Sequence, residues 1–314
     1  MDPADISVIY QDHHLLIINK PAGVVIHPTY KHTDDTLWNA LLVYLEQQGG
    51  DDWRPPVLPD EPDWLLAPPH IREMLRQRRE ERLWREEGLL PRPCLLHRLD
   101  KDTSGVVALA RTARACNHLA RQFNQHTIVK HYLAVVRKGA PDWTRPRTTF
   151  TIAQIQPDGS STPLDLVYFD ELPTLLPASE LLLDGPLWRD PLDRRRCVVL
   201  PGGQPATTRV SVLAAEKDVA LLEILPITGR THQIRAHLAA LGFAIVGDPV
   251  YAPPAPPGTP ASALARQFLH AYRLDLRDYP ADQPTSFVAP LANDLITWQA
   301  TCCPSFTQIL STLL

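Results

Sequence analysis

The sequence has no long apolar run. Its longest stretches of that kind, such as Leu15 to Ile18 and Val106 to Ala110, fall far short of the roughly 18 residues that a membrane helix needs. The start, Met1-Asp2-Pro3-Ala4-Asp5, is acidic and unlike a charged leader. The expectation is a cytoplasmic chain with no membrane partner. Cysteine is scarce: the five present, Cys94, Cys116, Cys197, Cys302 and Cys303, are odd in number and irregular in spacing. That pattern argues against a secreted disulfide framework and against a Cys-x-x-Cys zinc site, so all five are read as free thiols. The chain also lacks a His-Glu-x-x-His metal motif and any internal repeat. Positive charge is in deficit overall, with a net charge of −4, which taken alone argues against a nucleic-acid partner.

What is present is concentrated. The 314 residues, 44% of them hydrophobic, suffice for a substantial core, and the whole of 1–314 is taken as one domain. From His97 to Arg147, ten Lys and Arg stand against three Asp, a local excess of seven positive charges in an acidic chain. Such a block is either a phosphate-backbone footprint or a solvated helix and loop face. Near its start lies Leu96-His97-Arg98-Leu99-Asp100-Lys101-Asp102-Thr103-Ser104-Gly105, followed by the apolar run Val106 to Ala110. An aspartate between His-Arg and Lys, followed by a Thr-Ser-Gly turn into a buried strand, sets charge directly against core. Asp100 there either caps a turn and pairs with Arg98 or is placed for chemistry.

Along the chain, Ser7 to Tyr10 and His14 to Asn19 read as a hairpin, and Val24 to His27, after the Pro21-Ala22-Gly23 turn, as a third strand. A helix is expected from a cap at Asp35 or Thr36 to about Gln47, ended by Gly49-Gly50. Residues 51–93 are proline-rich at both ends around the charged run Ile71 to Glu87 and are treated as an insertion carrying a solvated helix. Ala113 to Gln125 forms a further helix, with Arg114 and Arg121 toward solvent, and Lys130 to Val136 a strand whose alternation puts Lys130 and Tyr132 on one side. Residues 155–205 are a second irregular insertion without assignment. Thr208 to Leu213 and Val219 to Leu225 form a hairpin, and Thr228 to Gly242 is a turn entering a helix closed by its glycine. Ala252 to Pro260, with five prolines in nine residues, is a loop. His270 to Leu274 is read as a closing edge strand, and Pro304 to Leu314 as a short packing helix.

Six segments then stand in order: Asn19-Lys20-Pro21-Ala22-Gly23 with His27-Pro28; His97-Arg98-Leu99-Asp100 with Thr103-Ser104-Gly105; Lys130-x-Tyr132; Gly229-Arg230-Thr231-His232-Gln233-Ile234-Arg235-x-His237; Gly247-Asp248-x-x-Tyr251; and Leu269-His270-Ala271. Together they resemble the RluA-type family of RNA pseudouridine synthases, over about residues 6–275 outside the two irregular regions. The resemblance implies an α+β fold with a long, mostly antiparallel mixed sheet flanked by helices, a central RNA-binding cleft, an RNA partner, and no metal or organic cofactor. Many members carry a small S4-like RNA-binding domain before this point. The chain is expected to lack one and to act as a monomer.

The family reaction cuts the N1–C1′ bond of uridine, turns the uracil and joins C5 to C1′. It needs an ionised, desolvated carboxylate that adds to C1′ or removes a sugar proton. The resemblance gives that role to Asp100, with Asp102 as a turn or capping acid, and gives Arg235 the role of the cation that keeps the carboxylate charged and oriented. Tyr132 matches the active-site tyrosine, whose ring can stack on a flipped uracil. Arg98 is expected to fill the space that the flipped base vacates. Arg230, Arg114 and Lys130 are expected to contact phosphate. His232 is read as a structural hydrogen-bonding residue. A rival enzyme class, the haloacid-dehalogenase-type phosphotransferases, shares an Asp-x-Asp pattern like Asp100-x-Asp102, but needs magnesium and a wholly apolar strand before the first aspartate, where this chain has His97-Arg98. A catalytically silent RNA-binding module is the other alternative, and every implied catalytic position is occupied. The family resemblance places ribosomal RNA ahead of transfer RNA as substrate.

Overall fold

A computed structural model of the chain describes residues 2, 5–50, 52–146, 149–164, 180–216, 218–253, 258–259 and 264–314. The strands are β1 (Ser7–Gln11), β2 (Leu15–Lys20), β3 (Leu89–Leu95), β4 (Ser104–Thr112), β5 (Val129–Lys138), β6 (Thr151–Ile155), β7 (Ser161–Leu164), β8 (Glu180–Asp184), β9 (Leu187–Arg189), β10 (Cys197–Val199), β11 (Thr207–Glu216), β12 (Val219–Pro226), β13 (Phe243–Ile245), β14 (Leu269–Arg277) and β15 (Pro284–Val288). The helices are α1 (Leu37–Gln48), α2 (Pro69–Glu87), α3 (Ala113–Asn124), α4 (Gln233–Leu241), α5 (Asn293–Cys302) and α6 (Thr307–Leu313).

Among the described residues thirteen strands form one sheet, ordered β1-β2-β4-β14-β5-β12-β11-β8-β6-β7, with β3 on β4, β13 on β5 and β15 on β14. All its pairings are antiparallel except β4 with β14. This is the mostly antiparallel mixed sheet of an α+β fold. Strands β2 and β4 are buried on both faces: Leu16, Ile18, Val107 and Leu109 join one core, Leu15, Ile17, Val106 and Ala108 the other. A strand covered on both sides has no reason to alternate, which is why these segments read as continuous apolar runs. No described helix is long and apolar enough to cross a membrane.

The parallel seam is short. His270 stands opposite Ser104 and Ala271 opposite Gly105. A side chain at 105 would bring its Cβ to 2.1 Å from the Ala271 carbonyl oxygen, and the residue sits at φ +123°. Only glycine meets both conditions.

Several expectations are corrected. The segment His270 to Leu274 is not an edge: β14 lies between β4 and β5, because its partners come from far earlier in the chain. Val24 to His27 forms no strand. Its carbonyls instead take up helix-start donors, Val25 O from Leu37 N at 2.9 Å and Ile26 O from Trp38 N at 3.0 Å, beside the Thr36 side chain that caps α1. The 155–205 region contributes β7 and β8 to the sheet, and β9 with β10 as a separate two-stranded hairpin; its residues 165–179 lie outside the described ones, as does most of the 252–260 loop. The five free thiols become three, since Cys94 on β3 and Cys116 on α3 stand with their Cα atoms 5.9 Å apart and are joined as a disulfide. Cys197, Cys302 and Cys303 lie outside any disulfide. Helix α2 falls on the expected charged run, with Leu83 its buried residue.

Candidate active site

The segment between β3 and β4 is pinned through its backbone. Thr103 N–H donates to Asp100 O at 3.1 Å, Lys20 Nζ to Lys101 O at 2.9 Å and to Pro21 O at 2.7 Å, and Arg266 Nη1 to Asp102 O at 3.1 Å. Gln267 Nε2 reaches Thr103 Oγ1 at 3.3 Å. Lys20 is fully buried, and burial brings its pKa down to about 7 against the pull of Asp102 and Asp100. His97 is structural: its Nε2 accepts the Ala108 N–H at 3.0 Å, and its ring stacks on Phe123. Burial, helped by the Lys130 charge, lowers its pKa to about 3, so the imidazole stays neutral.

Across from this segment the Thr228–Gln233 turn delivers α4. Gln233 organises the turn: its Oε1 accepts Arg230 N–H at 2.9 Å and the Thr228 hydroxyl at 2.7 Å, while its Nε2 donates to Thr207 O at 3.0 Å. His232, the residue before the helix, takes the left-handed conformation at φ 56°. Arg235 then projects from the first turn. It is 5% exposed and divides its guanidinium between two carboxylates. Nη1 donates to Asp100 Oδ2 at 3.1 Å, while Nε and Nη2 donate to Asp248 Oδ2 and Oδ1 at 2.7 and 2.9 Å. Burial opposes its charge, but the Asp248 bonds and charge outweigh this and hold its pKa above the ordinary arginine value. Asp100 and Arg235, 135 residues apart, thus meet as expected.

Asp100 and Arg235 line an open cleft of about 730 Å³ together with Arg98, Lys130, Tyr132, Arg189, Arg230 and His232. That volume lies within the range of roughly 300–1,000 Å³ usual for ligand sites. Tyr132 is buried, and burial together with the Asp100 charge raises its pKa, keeping it a phenol. Lys130 donates to Thr228 O at 3.3 Å, and burial lowers its pKa to about 8. Arg230 Nε donates to Pro205 O at 3.1 Å, and the exposed Arg98 stands at the cleft wall without a side-chain partner among the described residues.

Arg114 is not brought to this group. It lies on α3, paired with Glu86 and with Glu87 at 3.0 Å, beside a separate hollow of about 400 Å³. The basic block is likewise dispersed: Arg111 donates to Asp12 O and Arg137 to Pro253 O. Among the described residues of the block, Arg98 and Lys130 line the cleft while Arg114 and Arg121 line the hollow beside α3.

Sequence reasoning left unassigned several residues that the site uses. Asp248 belongs to the quoted Gly247-Asp248 pair, and a buried acid opposite an expected arginine was the available signal. Tyr251 places its ring 5.0 Å from the Arg235 guanidinium carbon, and its hydroxyl bonds to the Cys197 backbone on β10. Lys20 stood in the quoted Asn-Lys-Pro segment. Arg266 and Arg189 lay outside every motif and gave no signal.

The profile of a family described as RNA pseudouridylate synthase matches residues 14–240. This chain belongs to that family. Among curated relatives, the ribosomal large subunit pseudouridine synthase D of Nitrosomonas europaea is 32% identical over 293 residues, covering 92% of this chain and 63% of the relative. An uncharacterized RNA pseudouridine synthase of Chloroflexus aurantiacus is 35% identical over 277 residues, covering 88% and 63%. The chain thus spans less than two thirds of the length of these relatives. Among solved structures, human RNA pseudouridylate synthase domain containing 4 superposes with a TM-score of 0.54 at 21% identity, covering 94% of this chain and 92% of that one. Human RNA pseudouridylate synthase domain containing 1 gives 0.53 at 18% identity, covering 99% and 96%. The shared fold is that of a pseudouridylate synthase domain.

Proposed function

We propose that this chain is an RNA pseudouridine synthase that isomerises uridines in structured RNA, with ribosomal RNA as its substrate and Asp100 as the catalytic carboxylate. The observation that carries the reading is the ion pair between Asp100 and the buried Arg235, itself gripped by Asp248, in a cleft wide enough for an extruded nucleotide. A carboxylate so held has one oxygen occupied by the guanidinium and belongs to a residue that lines the cleft. It can add to C1′ or take a sugar proton without repositioning. Tyr132 offers its ring to the extruded uracil. Arg98 takes the space the base leaves, and Arg230 and Lys130 hold phosphate. The curated relatives named as ribosomal large subunit enzymes support ribosomal RNA over transfer RNA.

The test is to incubate the protein with unmodified ribosomal and transfer RNA and to map pseudouridine by carbodiimide-blocked reverse transcription. Discrete stops in large-subunit RNA, formed also in chelator with pre-folded RNA, are expected. Asp100→Asn is expected to abolish them while changing RNA affinity by no more than a few fold. Persistent turnover by that variant would overturn the assignment.

A further inference from the structure

His232 holds a position that a structural hydrogen-bonding role does not exhaust. Its Nδ1 lies 3.2 Å from the Tyr251 hydroxyl. That hydroxyl also lies 2.7 Å from Cys197 N and 2.8 Å from Cys197 O. A phenol has one hydrogen to give. The Cys197 carbonyl can only accept, so it receives that hydrogen; the Cys197 N–H can only donate. Were the phenol hydrogen turned to the imidazole instead, two bare oxygens would face each other across 2.8 Å. Nδ1 is therefore the donor in its contact, and the proton of the neutral ring is fixed there.

The consequence falls on the other nitrogen. Burial, outweighing the pull of Asp100, lowers the His232 pKa and keeps the ring neutral. Nε2 is then a lone-pair acceptor. It makes no hydrogen bond among the described residues, lies 3.9 Å from Asp100 Oδ2, and belongs to a residue lining the cleft. Two acceptors at that separation leave room for a donor to reach Nε2 beside the carboxylate. The residue itself sits at a left-handed backbone position, φ 56°, that few side chains adopt.

We propose that His232 Nε2 accepts the 2′-hydroxyl hydrogen of the nucleotide bound at Asp100, and is the group by which this site distinguishes ribose from deoxyribose. The proposal rests on the pseudouridine-synthase reading, which aims Asp100 at C1′ or at a sugar proton. The 2′-oxygen is one bond from C2′ and two from C1′, so a carboxylate serving either carbon has that hydroxyl as its neighbour. The hydroxyl is the group that separates RNA from DNA at a single nucleotide. Tyr251 is on this account a positioning residue, because it sets which imidazole nitrogen is bare.

The experiment uses the stem-loop containing the uridine mapped as above, made with ribose or with 2′-deoxyribose at that one nucleotide. The ratio of kcat/KM for the two RNAs is compared among wild type, His232→Asn and His232→Gln, with equilibrium binding of both RNAs measured alongside. Asparagine tolerates the left-handed backbone and places an amide where Nδ1 was, keeping the Tyr251 contact while deleting Nε2. Glutamine restores a polar atom near Nε2. The expected result is that the preference for ribose shrinks by about 3- to 10-fold in His232→Asn, the value of one hydrogen bond, and returns in part in His232→Gln. A preference unchanged in His232→Asn overturns the proposal alone. A wild type that forms pseudouridine in no RNA overturns the underlying reading and the proposal with it.

Discussion

Asp248 grips Arg235 through both carboxylate oxygens, at 2.7 and 2.9 Å, and so turns a single amino group, Nη1, toward the cleft. The Asp248 side chain is fully buried, and the bidentate fork fixes the guanidinium plane as well as its position. Asp248 also accepts the backbone N–H groups of Val250 at 2.8 Å and Tyr251 at 3.0 Å. One acid thus sets the orientation of the arginine and of the ring beneath it.

Replacing Asp248 with asparagine leaves a buried arginine with one charge partner instead of two. Asp248→Asn is expected to destabilise the fold by about 3–5 kcal/mol in urea unfolding, the range for breaking a buried pair. In the protein that still folds, turnover on ribosomal RNA is expected to fall further than affinity. Equal losses in both would show that Asp248 supports the fold alone.

The cleft lysine gives a pH dependence of definite sign. Lys130 titrates near 8 because it is buried, so its ammonium is present below that pH and lost above it. RNA affinity is expected to drop as pH rises from 7 to 9, with the slope of log affinity against log salt falling by about one. Lys130→Arg is expected to remove the pH step, because a guanidinium stays charged throughout. Filter binding at several salt concentrations checks both.

Two arginines that look alike in sequence are expected to behave differently. Arg98 stands at the cleft wall, while Arg114 is held between Glu86 and Glu87. Arg98→Ala is expected to weaken binding and lower the salt slope by about one. Arg114→Ala is expected to leave both unchanged. A reduced slope for Arg114→Ala would place RNA on α3.

At the seam, Gly105→Ala is expected to cost roughly 2–5 kcal/mol, the sum of a positive φ and an overpacked contact. Urea unfolding is the measurement. A neutral substitution would mean that β4 and β14 can separate there at little cost.

The local elements were legible where their cause is local. The Thr36 cap, the hairpin of β11 and β12 and the glycine closing α4 all follow from residues a few positions apart. The place of β14 did not, because its neighbours β4 and β5 lie more than a hundred residues earlier and no spacing encodes them. Asp100 and Arg235 could be paired only through the family resemblance. Asp248 was within the same quoted motifs but carried no role, since a Gly-Asp pair reads equally well as a turn. Lys20 and Arg266 act on the carbonyls of Lys101 and Asp102, and backbone carbonyls carry no signature in sequence. That Arg114 stands apart from the cleft was not legible either, because sequence shows a charge without showing its counter-charges, here supplied by the end of α2.

The two-residue seam between β4 and β14 makes the sheet a pair of antiparallel slabs welded at one narrow joint. Asp100 belongs to the slab of β2 and β4, and Arg235 rides on α4, which packs against β13, β11 and β12 of the other slab. Their contact is therefore a strut spanning the weld, and the charge pair assigned to the chemistry also braces the angle at which the slabs meet.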